Sequence, residues 1–123
     1  MRLGIALPAI IAAVLVAAAL LAMAETQKSG MVVVTIPRGV AHLPYIANYW
    51  PPTIKVVIGI NNSVKWINMD DHMHTVTSDN WSFHSGELNL YDSFIYTFTK
   101  PGVYGYSCMP HPWMRGYVEV REA

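Results

Sequence analysis

Short stretches in which hydrophobic and polar residues alternate follow one another from Met31 to the end of the chain, with turn-forming residues between them. In the second stretch Ile54, Val56 and Ile58 share one face, an alternation typical of a half-buried β-strand. About seven such stretches are present, at residues 31–37, 53–60, 63–69, 74–78, 94–98, 104–108 and 116–120. The pattern predicts an all-β fold, a Greek-key β-sandwich.

The longer connections, residues 38–52 and 79–92, carry prolines, glycines and polar residues and are predicted to be irregular. Large aromatic side chains occur in the strands and in the second of these connections. They are expected in the hydrophobic core, which is predicted to include Trp66, Trp81, Phe94, Tyr96 and Phe98.

The N-terminal segment has a different character, since no charged residue occurs from Leu3 to Ala24. Ala22-Met23-Ala24 before a polar stretch is typical of a signal-peptide cleavage site. The uncharged run of 22 residues is also long enough, at about 33 Å as a helix, to span a bilayer. Residues 1–24 are therefore a signal peptide or an N-terminal membrane anchor, 25–30 a linker and 31–123 the folded domain. Both interpretations predict a domain outside the cytoplasm, in the periplasm or at the outer face of the cell membrane.

Composition excludes several classes of protein. The 123 residues carry eight basic and eight acidic side chains, without the basic run or stripe typical of nucleic-acid binding. The single cysteine excludes an intramolecular disulfide, an iron–sulfur cluster held by four thiolates and a binuclear copper centre with two cysteines.

That single cysteine lies in a short run of soft metal ligands. Cys108 is followed three residues later by His111, and three residues further by Met114. Copper suits this mixture of sulfur and nitrogen donors, and with a second histidine the set becomes that of a blue-copper site. Taken singly, Cys108 could equally be an inert buried thiol and Met114 a core residue.

Two histidines are suitably placed to supply the second imidazole. His74 opens a β-branched stretch directly after a turn, where sheet hydrogen bonds would hold it more rigidly than a loop would. His72 has the same parity but lies in the turn, so it is the second choice. Apart from that alternative, His42, His72 and His84 are predicted to be exposed loop histidines.

Two segments, residues 64–78 and 104–116, resemble the first-histidine region and the ligand loop of cupredoxins, most closely those of the plastocyanin/amicyanin group. The short Cys-x2-His-x2-Met spacing is similar to that of amicyanin. The resemblance extends over residues 31–120. It implies one type 1 copper per chain, with His74, Cys108 and His111 as equatorial ligands and Met114 as the weak axial ligand.

Two positions depart from the family pattern. Met73 stands where a proline often precedes the first ligand, and Thr75 where an asparagine often follows it. In relatives that asparagine makes a structural hydrogen bond across the site, and a threonine hydroxyl can still donate one hydrogen bond.

The resemblance implies an electron carrier that cycles between Cu(I) and Cu(II), and not an enzyme. Redox partner proteins, membrane-bound respiratory complexes among them, would dock transiently on the apolar residues around His111, namely Met109, Pro110, Pro112 and Trp113. Two other functions remain open from the sequence. One is copper storage or delivery, and the other is a subunit of a larger copper redox enzyme.

Overall fold

Seven strands form between Met31 and Arg121 in the computed structural model, which describes residues 30–123. They are β1 (Met31–Ile36), β2 (Thr53–Val57), β3 (Ser63–Asn68), β4 (Thr77–Ser78), β5 (Ser93–Thr97), β6 (Gly102–Ser107) and β7 (Arg115–Arg121). A 3-10 turn, Val40–His42, lies in the first long connection. The predicted leader and residues 25–29 of the predicted linker lie outside the described residues. Within residues 30–123, none of the helical structure is long and apolar enough to cross a membrane.

The strands form two mixed sheets. One sheet has the order β1-β3-β5, in which β1 runs parallel to β3 and β3 antiparallel to β5. The other has the order β2-β7-β6-β4, in which β2 runs parallel to β7 and the remaining pairs are antiparallel. Because β2 lies beside β7, the chain crosses between the sheets rather than running as a simple meander. The predicted all-β sandwich is confirmed.

The predicted alternation matches the buried face of the strands. Val64 and Trp66 in β3 are fully buried, and Ile54 and Val56 in β2 are buried opposite them in the second sheet. Trp66 stacks on Phe83 with ring centroids 5.8 Å apart. The buried hydrophobic side chains form one cluster between the sheets: Val34, Ile36, Val40, Tyr49, Ile54, Val56, Val64, Trp66, Val76, Phe83, Leu88, Phe98, Tyr106, Cys108, Met114, Val118 and Val120.

The prediction that Trp81 belongs to the core is wrong. Its side chain is 61% exposed, and its backbone adopts a positive φ of 60°. The Trp81 N–H donates to the carbonyl of Ser78, so the residue closes a turn and its side chain points away from the sheets. Among the other aromatic predictions, Trp66 and Phe98 are buried and Phe94 and Tyr96 are partly buried against the core.

The strand predicted at residues 74–78 is shorter than expected, since only Thr77 and Ser78 pair with β6. His74 forms an isolated bridge with Leu88, and the two residues exchange both backbone hydrogen bonds. The irregular segment 79–92 therefore folds back and takes the place of a strand partner for His74. The histidine is still held by backbone hydrogen bonds, as the sequence predicted, although not within a regular strand.

Candidate metal centre

The predicted ligand loop connects two antiparallel strands. β6 ends at Ser107 and β7 begins at Arg115, and these two residues pair across the base of the loop. Cys108 is the first residue of the loop and Met114 the last. The paired strands β6 and β7 therefore fix both ends of the segment that carries three of the four predicted ligands.

The structure brings His74, Cys108 and His111 together. Their donor atoms all lie within 4.8 Å of one another. The Cys108 Sγ lies 3.5 Å from His74 Nδ1 and 3.5 Å from His111 Nδ1. His74 and Cys108 are fully buried, whereas His111 is partly exposed. Two imidazole nitrogens thus face one buried thiol sulfur, and only the His111 side of the cluster reaches solvent.

The fourth predicted ligand, Met114, is fully buried at the end of the same loop. Its backbone N–H donates to the carbonyl of His111 at 3.0 Å, which closes a tight turn between the two residues. Of the two candidates for the second imidazole, His74 and His72, His74 joins this cluster. His72 lies outside it with a side chain that is 43% exposed.

A buried carboxylate that the sequence analysis missed holds His74. The Asp70 Oδ2 lies 2.7 Å from His74 Nε2, and both side chains are inaccessible to solvent. A carboxylate can only accept, so Nε2 carries the proton and Nδ1 has a free lone pair on the side of Cys108. Asp70 also accepts from the backbone N–H groups of Gly39 and Ala41. An aspartate in a polar turn carries no pattern that would have marked this role.

The protonation states follow from burial and from these contacts. Burial acts to raise the pKa of Asp70, but the hydrogen bonds from His74, Gly39 and Ala41 outweigh it and lower that pKa to about 2. Burial lowers the pKa of His74, and Asp70 only partly opposes this. Burial, together with the nearby His74, also lowers the pKa of His111. Both imidazoles are therefore neutral near pH 7, which is the form that binds a metal.

The sulfur of Cys108 is held from the other side by Thr75. The Thr75 backbone N–H donates to Sγ at 3.3 Å, and its hydroxyl oxygen accepts from the Met109 N–H at 3.0 Å. Burial raises the pKa of the Cys108 thiol, so the thiolate needs a bound cation to form readily. The expected donor is therefore an acceptor: the Thr75 hydroxyl links the segment of His74 to the ligand loop by accepting from the Met109 N–H.

A second missed residue, Asn48, ties the ligand loop to the long connection between β1 and β2. Its amide donates to the Arg115 carbonyl at 2.6 Å, and its oxygen accepts from the Arg115 N–H at 2.8 Å. Nearby, the Tyr49 hydroxyl donates to the carbonyl of Thr75 at 2.6 Å. These bonds join residues up to 67 positions apart, which local sequence patterns do not reveal.

The spacing of the donor atoms suits a metal ion. Ligand bonds of about 2.0–2.3 Å to nitrogen and sulfur, at trigonal or tetrahedral angles, separate the two donors by about 3.5–3.8 Å. The two Sγ–Nδ1 separations of 3.5 Å lie at the edge of that range. Two neutral imidazoles and one thiol, with the thioether of Met114 in the same loop, are the donor set that copper prefers in proteins.

Comparison with known proteins places this site in a family. No family model matches the chain. A solved structure titled as a novel purple cupredoxin from Nitrosopumilus maritimus is 32% identical and superposes with a TM-score of 0.66. The alignment covers 72% of this chain and 98% of that structure. The chain belongs to the cupredoxin family.

Amicyanins are also similar to this chain. The amicyanin of Paracoccus denitrificans is 32% identical over 77 residues, and that of Paracoccus versutus is 32% identical over 73 residues. These matches span 57% and 55% of the two amicyanins, little more than half of their length. The structure of a reduced W45Y mutant of amicyanin is 28% identical, with a TM-score of 0.62 over 75% of this chain and 83% of that one.

Proposed function

We propose that this cupredoxin is a type 1 copper electron-transfer protein that binds one copper ion, and that it is a carrier and not an enzyme. The ligands in this proposal are His74, Cys108, His111 and Met114. The observation that carries it is the convergence of two neutral imidazole Nδ1 atoms on the sulfur of the single cysteine. Copper bound there supplies one-electron redox chemistry between Cu(I) and Cu(II).

The residues around the site support electron transfer by limiting movement. Asp70 fixes the tautomer and the ring position of His74, and Thr75 holds the sulfur of Cys108. Met114 is packed in the hydrophobic core, so its side chain has little room to shift. Ligands held in this way change position little when the charge of the metal changes, and a small reorganisation favours fast transfer.

The test is addition of one equivalent of Cu(II) to the purified protein. We expect an intense visible charge-transfer band, because a thiolate bound to Cu(II) absorbs strongly. The Cys108→Ser variant should lack this band, while His84→Ala, which removes a histidine outside the cluster, should retain it. Absence of the band in the unaltered protein, or its persistence in Cys108→Ser, would contradict the proposal.

We propose that the electron enters and leaves the protein through an apolar docking surface around His111. This surface is formed by Tyr45, Met109, Pro110, Pro112 and Trp113. Met109 is 56% exposed, and the Tyr45 side chain is 91% exposed. The rings of Tyr45 and Trp113 lie 6.4 Å apart, and Trp113 packs edge-on against the imidazole of His111 at 5.3 Å. The long connection between β1 and β2 thereby enlarges the patch that the ligand loop presents. An exposed apolar patch of this kind suits a transient redox partner.

A charge on the docking surface, at Tyr45, is expected to slow electron transfer. In Tyr45→Lys, two copies that meet through this surface bring two ammonium groups together, so the self-exchange rate should fall about tenfold or more. The rate can be measured from NMR line broadening in mixtures of oxidised and reduced protein. The copper absorption band should not change, since Tyr45 is exposed and is not a proposed ligand.

Val103→Lys is the matched control. Val103 is 70% exposed and lies near the start of β6, about five residues from Cys108, or roughly 16 Å along the strand. The new lysine faces Glu119 across the strand pair, so the substitution is well tolerated there. An equal fall in the self-exchange rate for both variants would show that net charge, and not the docking surface, controls the reaction.

For location, we propose that the domain works outside the cytoplasm. The uncharged segment from residue 3 to residue 24 supports this, either as a cleaved signal peptide or as an anchor in the membrane. N-terminal sequencing of the mature protein distinguishes the two forms, because cleavage after Ala24 would leave Glu25 as the first residue.

A further inference from the structure

A second group of potential metal ligands lies beside the first, in the turn that leads to His74. His42, Asp71 and His72 place their donor atoms within 4.8 Å of one another. The His72 Nδ1 lies 2.8 Å from Asp71 Oδ1, and the rings of His42 and His72 meet edge to face at 4.5 Å. None of these three side chains belongs to the proposed copper site.

The backbone that carries this cluster is fixed by buried hydrogen bonds. The Asp70 carboxylate accepts from the N–H groups of Gly39 and Ala41, which ties the 3-10 turn of His42 to the turn of Asp71 and His72. The Asn68 amide donates to the carbonyl of His72 at 2.8 Å. The two histidines therefore meet because a fully buried carboxylate joins their turns, and not through a chance contact of free loops.

We propose that His42, Asp71 and His72 form a second metal site, open to solvent, for a borderline divalent cation such as Zn²⁺. Two imidazoles and a carboxylate suit zinc and similar ions better than Mg²⁺ or Ca²⁺, which prefer oxygen ligands alone. Bonds of about 2.0–2.2 Å at tetrahedral angles would separate the donors by about 3.3–3.6 Å. The donors reach that spacing with small side-chain rotations, since Asp71 and His72 are 60% and 43% exposed.

The site differs in character from the copper site. It has no thiolate, and its three protein ligands leave at least one position for water or another small ligand. His72 lies two residues before His74, so their Cα atoms are at most about 7 Å apart. An ion bound here would sit next to the segment that carries the first copper ligand while using separate donors.

The test is calorimetric titration of Zn²⁺ into the copper-loaded protein. We expect one zinc ion per chain in addition to copper. The dissociation constant for zinc should be at least about tenfold larger in His42→Ala and in His72→Ala. His84→Ala is the matched control, because it removes an exposed histidine that lies outside the cluster. The Nδ1 of His84 is hydrogen-bonded to the Thr77 hydroxyl instead. The zinc affinity of His84→Ala should equal that of the unaltered protein, and excess Mg²⁺ should not displace the zinc.

Two results would overturn the inference: no zinc uptake by the copper-loaded protein, or equal affinity in His42→Ala and the unaltered protein. The inference does not depend on the copper proposal. If the blue band fails to form, zinc can also enter the first cluster, and the titration is then repeated without copper. The zinc ion bound outside the first cluster should still bind at least about tenfold more weakly in His42→Ala, whereas unchanged affinities for both zinc ions would refute the second site.

Discussion

Replacing Asp70 with asparagine is expected to lower the free energy of unfolding by about 3 kcal/mol and to weaken copper binding about 10- to 100-fold. The buried carboxylate accepts four hydrogen bonds. Its Oδ1 accepts from the N–H groups of Gly39 and Asp71, and its Oδ2 from the Ala41 N–H and His74 Nε2. An amide accepts through one oxygen only, so two buried donors would face an NH2 group instead.

The loss of copper affinity follows from the tautomer of His74. Because Asp70 accepts from Nε2, the Nδ1 lone pair is directed toward Cys108 in the protein without metal. In Asp70→Asn the proton on Nε2 is no longer favoured, and the ring loses its anchor. Competition with a copper chelator measures the affinity, and the intensity of the visible band reports whether the ligand geometry survives.

The stabilising effect of the Asp70 charge should depend on pH. The pKa of this carboxyl is about 2 in the folded protein, below its ordinary value of 3.8. A group whose pKa is lowered by folding stabilises the folded state above its unfolded pKa and loses that effect as the pH falls through the folded pKa. Urea unfolding of the metal-free protein should therefore show a higher free energy of unfolding for the unaltered protein than for Asp70→Asn. This difference should be largest above about pH 4 and should shrink as the pH falls toward 2.

Glu87→Gln is the control for Asp70→Asn, since it makes the same change of carboxyl to amide at an exposed position. It should change the free energy of unfolding by less than about 0.5 kcal/mol and leave copper affinity unaltered. If Asp70→Asn behaved like this control, the buried hydrogen bonds of Asp70 would not contribute to the site as described.

The fold was largely predictable because its strands have one buried and one exposed face. That alternation predicted the shared face of Ile54 and Val56, which is buried, and it predicted the bounds of each strand to within about three residues. It failed for Trp81, which is hydrophobic but closes a turn with a positive φ. Hydrophobicity alone does not distinguish a side chain in a sheet from one on a turn, because the difference lies in the backbone hydrogen bond to Ser78.

The proposed ligands were predictable because copper requires soft donors at a short spacing, and Cys108, His111 and Met114 stand together in the chain. The residues that orient them were not. Asp70 lies four residues from His74 in a turn, and Asn48 lies 67 residues from Arg115. Neither has a preferred spacing from the ligands, since the contacts of both depend on how the long connection between β1 and β2 folds over the end of the sandwich.

Replacing Gly116 with alanine is expected to destabilise the protein by roughly 3 kcal/mol or more. Gly116 in β7 pairs with Tyr106 in β6, and a Cβ at this position would overlap the Cζ and Oη atoms of the tyrosine. The ring cannot move aside, because it is fully buried and packs against Tyr49 at 4.8 Å and Trp66 at 5.4 Å. The clash lies at the base of the ligand loop, so copper affinity should fall as well.

Gly105→Ala is the matched control, since Gly105 lies one position from Tyr106 and pairs with the residue after Gly116. A Cβ there would meet the exposed ends of Asp79 and Arg115, which can rotate into solvent. Thermal and urea unfolding of both variants should show a large loss for Gly116→Ala and a loss below about 1 kcal/mol for Gly105→Ala. Truncation of Tyr106 to leucine should remove most of the difference between glycine and alanine at position 116, because the two side chains are coupled by direct contact. Equal costs in the two tyrosine backgrounds would mean that the glycine is needed for a reason other than the ring packed on it.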